Sequence, residues 1–194
     1  MQRIGILLFD DVEELDAVGP WEVFASWAKA HPDEAEVVAF AAGPGTVRGA
    51  KGLKFQADHG FDDVGQLDVL VHPGGQGTRV LLKDPDHLAA MRAQRAAVPL
   101  LTSVCTGSLV YAAAGLLKGR PATTHWGSLD LLGELDSTIE VRPDDRYVDD
   151  GDMVTSAGVS AGIDMALHVL ARLAGVERAR EIRRYIQYDP HPPV

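Results

Sequence analysis

The chain has 194 residues, of which 46% are hydrophobic and 24% charged, and this balance predicts one globular domain over residues 1–194. Its formal net charge of −10 argues against a nucleic-acid partner, because phosphate backbones need a basic surface. No apolar run approaches the roughly 18 residues that span a bilayer, and no stretch resembles a signal peptide. With a single cysteine and no possible internal disulfide, we expect a cytoplasmic protein without membrane contact.

The hydrophobic pattern alternates between strand-like and helix-like segments along the chain. Runs that are apolar throughout predict buried strands at 3–9, 35–42, 67–75 and 98–104. Segments with an apolar stripe predict helices at 18–31, 84–97, 106–117, 126–135, 159–175 and 176–189. Glycine-containing turns predict hairpins over 45–58 and 146–157. The alternation predicts an α/β fold with a mostly parallel sheet and helices on both faces.

Proline marks two of the predicted helix starts. Pro20 is expected at the first position of helix 18–31, where its missing N–H costs nothing. Asp84 is expected to cap helix 84–97, with Pro85 at the first helical position.

Three chemically distinct features follow the predicted strands. An acidic cluster containing Asp16 follows the first strand, the Gly74-Gly75 turn follows the third, and Cys105 follows the fourth. In such sheets ligands bind beyond the carboxyl ends of the strands. We therefore expect the three features to meet at one edge of the sheet and to form a site.

Cys105 lies between a predicted strand and a predicted helix, in the sequence Ser103-Val104-Cys105-Thr106-Gly107. Small residues on both sides at two-residue offsets are typical of a nucleophile elbow. A helix N-terminus at this position favours the thiolate and predicts a lowered thiol pKa. The alternative is a buried cysteine that acts as a small hydrophobic residue. The elbow spacing favours the nucleophile.

Asp16 and the two glycines are candidate partners of the thiol. Asp16 lies where a polar loop becomes a buried helix, so burial is expected to raise its carboxyl pKa and keep a proton available. It is equally compatible with a helix cap. Gly74 and Gly75 are predicted to point backbone N–H groups at an oxyanion or an anionic substrate group, or else to form a plain tight turn.

His125 is a further candidate, since a histidine can orient or deprotonate a catalytic thiol, although a structural role fits equally well. The histidines have no metal-ligand spacing, and the chain contains no dinucleotide-binding or P-loop motif. We therefore predict neither a metal nor a cofactor.

Four stretches of the sequence together resemble the ThiJ/PfpI superfamily, the class I glutamine amidotransferase-like proteins, over about residues 3–189. They are LLFDDVEELDAVGPWEVF, VHPGG, SVCTGSLVYAAAGLLKGRPATTHW and SAGVSAGIDMALHVL. Within the superfamily the pattern resembles the isonitrile hydratases, which share the Cys-Thr-Gly-Ser-Leu-Val segment and an aspartate at the position of Asp16. The resemblance implies a flavodoxin-like three-layer sandwich, a homodimer and a strained backbone at the elbow cysteine.

The resemblance also implies roles for individual residues. Cys105 is the nucleophile, Asp16 is its carboxyl partner, and Thr106 places a hydroxyl near the reacting carbon. Gly75 lies by the thiolate, and Val159 lies on the helix that closes the pocket. The implied activity is that of a cofactor-independent hydro-lyase, which hydrates an isocyanide, a small molecule, to an N-substituted formamide.

Two other functions fit the same pattern. One is a glyoxalase- or deglycase-like cysteine enzyme, and the other is a non-enzymatic domain that senses a ligand or oxidation. A protease is disfavoured because Thr106, not histidine, follows the cysteine, and no segment after residue 189 is expected to form a DNA-binding helix-turn-helix. Trp126 and Val159 are expected to set the pocket size, and the sequence leaves the substrate's side group open.

Overall fold

A six-stranded sheet organises the chain in the computed structural model, which describes residues 1–190. The last four residues of the predicted domain, 191–194, lie outside the described part. The strands are β1 (Gln2–Leu7), β2 (Ala35–Phe40), β3 (Gly45–Arg48), β4 (Lys54–Ala57), β5 (Val69–His72), β6 (Leu100–Val104), β7 (Pro121–Ala122), β8 (Glu140–Val141), β9 (Tyr147–Asp149) and β10 (Met153–Ser156). The helices are α1 (Glu14–Ala30), α2 (Thr78–Leu81), α3 (Pro85–Ala97), α4 (Gly107–Ala113), α5 (Leu129–Leu135), α6 (Ala161–Ala174) and α7 (Val176–Tyr185).

The central sheet has the strand order β2-β1-β5-β6-β10-β9. All neighbouring strands are parallel except β9, which pairs antiparallel with β10. Every residue of β5 and β6 is buried, because helices cover both faces of the sheet. The predicted α/β class with a mostly parallel sheet is therefore confirmed.

Two hydrophobic clusters, one on each face, hold the layers together. On one face Phe24 and Trp27 of α1 pack with Met165 of α6. On the other face Met91 of α3 packs with Leu109 of α4. Helices α1, α6 and α7 thus form one outer layer, and α3, α4 and α5 form the other. No helix within residues 1–190 has the length and hydropathy needed to cross a membrane.

The first helix begins earlier than predicted, at Glu14, so Pro20 lies inside it and not at its first position. The start carries little sequence signal, because the Glu13 side chain makes no capping hydrogen bond. Pro20 is buried, and a Cβ added at Gly162 of α6 would lie 3.4 Å from its Cδ. Close packing between α1 and α6 offsets the backbone hydrogen bond that a proline removes.

Other boundaries agree more closely with the pattern. Asp84 caps α3 as predicted, and its carboxylate accepts hydrogen bonds from the backbone N–H groups of Asp86 and His87 at 3.0 and 3.3 Å. The predicted hairpins form as β3–β4 and β9–β10. The short elements α2 and β8 were not predicted, because four and two residues are too few for a periodic pattern.

Candidate active site

Cys105 lies at the sharp turn between β6 and α4, with a positive φ of 56°. Its N–H donates to the carbonyls of Ser156 and Ala157 at 3.2 and 3.1 Å, in the segment that ends β10. Its own carbonyl accepts from the hydroxyls of Thr124 and Ser108 at 2.9 and 3.2 Å. These four bonds hold a conformation that costs a non-glycine residue about 1–3 kcal/mol.

The glycine two residues after Cys105 is required because the turn passes close to the end of β5. A Cβ added at Gly107 would lie 2.2 Å from the carbonyl oxygen of His72, so no larger residue fits at this position without moving the backbone. The elbow spacing in the sequence therefore reflects a real close approach.

Asp16 lies in the first turn of α1, where its side chain is completely buried. One carboxyl oxygen, Oδ2, accepts from the Gly74 N–H at 2.9 Å. The other, Oδ1, has no hydrogen-bond partner of ordinary geometry among residues 1–190, although the Cys105 thiol is close enough to affect the carboxyl pKa. Burial raises the pKa of Asp16 to about 7, against the opposing effects of the Gly74 N–H and the thiol.

Cys105 is 6% exposed, and burial together with the Asp16 charge raises the pKa of its thiol to about 12. The backbone N–H groups of Thr106 and Val159 favour the thiolate, but the effect of burial is larger. The predicted lowering of the thiol pKa is therefore wrong, because a short helix does not outweigh burial beside an acid. With a pKa of about 12 the thiol is protonated near neutral pH, and the Asp16 carboxyl lies beside it.

The resemblance implied that Val159 lies on the helix that closes the pocket. In the structure Val159 instead precedes α6. Its φ of 50° is in the left-handed region, which a β-branched residue rarely occupies. This conformation points the Val159 N–H toward the sulfur of Cys105. The strain thus has a local consequence, since it adds a second backbone donor beside the thiol.

The N–H groups of both glycines after β5 are already bonded within the protein. Gly74 donates to Asp16, and Gly75 donates to the Thr106 hydroxyl at 3.0 Å. Both N–H groups therefore point at side chains of the protein, and the binding of an oxyanion or an anionic substrate group by these glycines stays a prediction. The two N–H groups hold the carboxyl and hydroxyl side chains in place beside the thiol.

An open cavity of about 270 Å³ adjoins the thiol. Six residues singled out in the sequence line it, namely Gly75, Cys105, Thr106, His125, Trp126 and Val159. His125 accepts a hydrogen bond from the Gly127 N–H at 3.2 Å and makes none with Cys105 within the described chain. Trp126 is 79% exposed at the cavity.

Comparison with known proteins identifies the family. A model of the DJ-1/PfpI family matches residues 2–172. The chain belongs to the DJ-1/PfpI family. The resemblance to the ThiJ/PfpI superfamily is thereby confirmed.

Individual DJ-1/PfpI relatives match over nearly the whole chain. Isonitrile hydratase of Pseudomonas putida is 43% identical over 193 residues, which are 98% of this chain and 80% of that protein. The crystal structure of a ThiJ/PfpI family protein from Pseudomonas syringae superimposes with a TM-score of 0.89 at 34% identity, covering 100% of this chain and 77% of the other. The crystal structure of Drosophila melanogaster DJ-1beta superimposes with a TM-score of 0.84 at 21% identity, covering 97% of this chain and 98% of the other, and it shows the same fold.

Five cavity residues of this DJ-1/PfpI chain were not singled out in the sequence, namely Glu13, Gln76, Arg79, Gly127 and Ser128. Arg79 lies on α2, and the Thr78 hydroxyl beside it is 3.0 Å from the Thr106 hydroxyl. The stretch carries no motif, and only the prediction that the Gly74-Gly75 turn lies at the site pointed toward it.

Replacing Gly74 with alanine is expected to reduce the free energy of unfolding by about 1–3 kcal/mol and to lower activity. The added Cβ would lie 2.5 Å from the Thr106 backbone nitrogen and 2.8 Å from Asp16 Oδ2, so the elbow and the carboxyl must separate. Denaturant unfolding measures the change. Gly43→Ala is the control, because a Cβ there has no neighbour within 4 Å. Equal stability of the two variants would contradict the tight contact.

Asp16 is expected to make stability fall as the pH rises. Its folded-state pKa of about 7 lies above the ordinary value of 3.8, so the folded protein prefers the protonated carboxyl. The contribution of the Asp16 carboxyl to the free energy of unfolding is fully present below about pH 4 and is lost as the pH rises through about 7. The total change is on the order of 4 kcal/mol. The melting temperature of Asp16→Asn should therefore exceed that of the wild type by an amount that grows as the pH rises across this range.

The matched control for that experiment is Asp62→Asn, which removes the same charge from an exposed position. It should follow the wild type at every pH. A pH-independent difference between Asp16→Asn and the wild type would mean that Asp16 is ionised throughout.

Proposed function

We propose that this DJ-1/PfpI protein hydrates isocyanides to N-substituted formamides, with Cys105 as the nucleophile and without a cofactor. The observation that carries the proposal is the Cys105 thiol, which adjoins the cavity, together with the buried Asp16 carboxyl next to it. The identity with the Pseudomonas putida isonitrile hydratase supports the choice of substrate class.

The first step joins the thiol to the substrate. As the Cys105 sulfur attacks the terminal carbon of R–N≡C, the thiol proton moves to the Asp16 carboxylate. Asp16 then protonates the same carbon, which gives the thioimidate R–N=CH–S–Cys. A carboxyl whose pKa is about 7 is suited to accept and then return a proton near neutral pH.

The second step consumes one water molecule. Water adds to the thioimidate carbon, one of its protons reaches the substrate nitrogen through Asp16, and R–NH–CH(OH)–S–Cys forms. The carbon–sulfur bond then breaks, the hydroxyl proton returns to sulfur, and R–NH–CHO leaves. The Thr106 hydroxyl lines the cavity and is fixed by the Gly75 N–H, so we assign it to positioning this water.

The test is to incubate the purified protein with an alkyl and an aryl isocyanide and to follow the formyl proton of the product by NMR. In H₂¹⁸O the label should enter the formyl oxygen, because the mechanism takes this oxygen from water. Absence of formamide from the wild type contradicts the proposal, and conversion of methylglyoxal alone would favour the glyoxalase-like alternative.

We further propose that the protein is a cytoplasmic homodimer that acts on a small molecule and binds neither nucleic acid nor membrane. The family resemblance supports the dimer, the net charge of −10 opposes nucleic-acid binding, and the single cysteine suits a reducing compartment. Light scattering that gives the mass of one chain would contradict the dimer.

A further inference from the structure

Arg79 places a positive charge on the wall of the cavity. Its guanidinium donates to the hydroxyl of Thr78 at 3.1 Å and to that of Ser128 at 3.2 Å. Thr78 and Ser128 lie 50 residues apart along the chain, so Arg79 links two walls of the cavity. Both partners are neutral, and they use two of the five N–H donors of the guanidinium.

No carboxylate within residues 1–190 forms an ion pair with Arg79. Glu13 is the acidic residue that lines the same cavity, and it pairs with Lys51. The charge of Glu13 is therefore already compensated, whereas that of Arg79 is not. Many other arginines of the described chain, such as Arg146 and Arg178, are paired with aspartate or glutamate.

Arg79 is not among the charged groups that most affect the pKa values of the reacting pair. The charged groups that most affect the carboxyl pKa of Asp16 are Glu13 and Lys51, and the one that most affects the thiol pKa of Cys105 is Asp16. Arg79 is thus free to bind a part of the substrate other than the isocyanide carbon.

We propose that Arg79 binds a carboxylate on the substrate's side group, so that the preferred substrates are isocyanides that also carry a carboxylate. A guanidinium with free donors pairs with a carboxylate through two parallel hydrogen bonds. The inference rests on the proposed function, because it names the side group of the same substrate. The carboxylate is a spectator, and the reaction still adds one water to R–N≡C to give R–NH–CHO.

The kinetic test compares ω-isocyanocarboxylates of increasing chain length with their methyl esters, which differ in charge but retain the same reacting group. For at least one chain length, the wild type is expected to show a kcat/KM at least about tenfold higher for the acid, as a hydrogen bond between charged groups gives. In Arg79→Met that ratio should fall to near one, and Arg79→Lys should retain part of it. Arg92→Met, which removes an exposed charge on α3, should keep the wild-type ratio.

A binding test separates this inference from the proposed reaction, since it needs no turnover. N-formylglycine and N-formyl-β-alanine are the products expected from two of these acids, and calorimetry can compare each with its methyl ester. At least one acid should bind the wild type at least about tenfold more tightly than its ester, and Arg79→Met should remove the difference. Equal binding of acid and ester in every pair overturns the inference, whether or not isocyanides are hydrated.

Discussion

Cys105→Ala is expected to lose isocyanide hydration by at least about ten-thousandfold, because the thiol forms the covalent bond to the substrate carbon. No second cysteine is available in the chain to take its place. Formamide production measured under saturating isocyanide gives the comparison, and thermal melting shows that the variant is folded.

Ser103→Ala is the matched control for that loss. Ser103 lies two residues before Cys105 and is completely buried, and its hydroxyl has no hydrogen-bond partner among residues 1–190. It does not line the cavity, so its removal should leave turnover close to that of the wild type. Full turnover by Cys105→Ala would show that the thiol is not the nucleophile.

Asp16→Asn is expected to lower kcat/KM by about a hundredfold to ten-thousandfold, the range that general acid–base catalysis contributes. The asparagine can still accept the Gly74 N–H hydrogen bond, but it cannot take the thiol proton. In the wild type kcat/KM should rise with pH through about 7 as the Asp16 carboxyl ionises. That rise should be absent from the variant.

The exposed Asp62→Asn variant is again the control, and it should keep both the rate and the pH profile of the wild type. A wild-type kcat/KM that does not change between pH 5 and 8 would contradict the role of Asp16 in proton transfer. Retention of more than a tenth of the activity in Asp16→Asn would do the same.

The sequence predicts the sheet well where burial is complete on both faces. Strands such as β5 and β6 contain no exposed position, so a continuous apolar run identifies them without knowledge of their neighbours. The start of α1 was missed for the opposite reason. The packing of Pro20 against α6 depends on contacts between residues far apart in the chain, which no local pattern contains.

The candidate site likewise has features that the local sequence predicts and others that depend on contacts between distant residues. The elbow spacing around Cys105 is local, so the sharp turn was predictable from adjacent residues, whereas the strain was expected only from the family resemblance. The thiol pKa and the bonding partners of the Gly74 and Gly75 N–H groups depend on which groups the fold brings together, so the sequence predicted neither the raised thiol pKa nor these partners. The charge of Arg79 was overlooked because a single arginine outside a motif carries no signal until its neighbours are known.

The position of β10 beside β6 has a consequence for biosynthesis. The carbonyl groups that hold Cys105 in its strained turn belong to Ser156 and Ala157, and the N–H of Val159 follows soon after. A ribosome-bound chain that has emerged only as far as α5 therefore contains the cysteine and Asp16 but lacks these restraints. The strained turn can be completed only after the chain has left the ribosome as far as Val159, so until that point the nascent chain carries the thiol in an unrestrained segment.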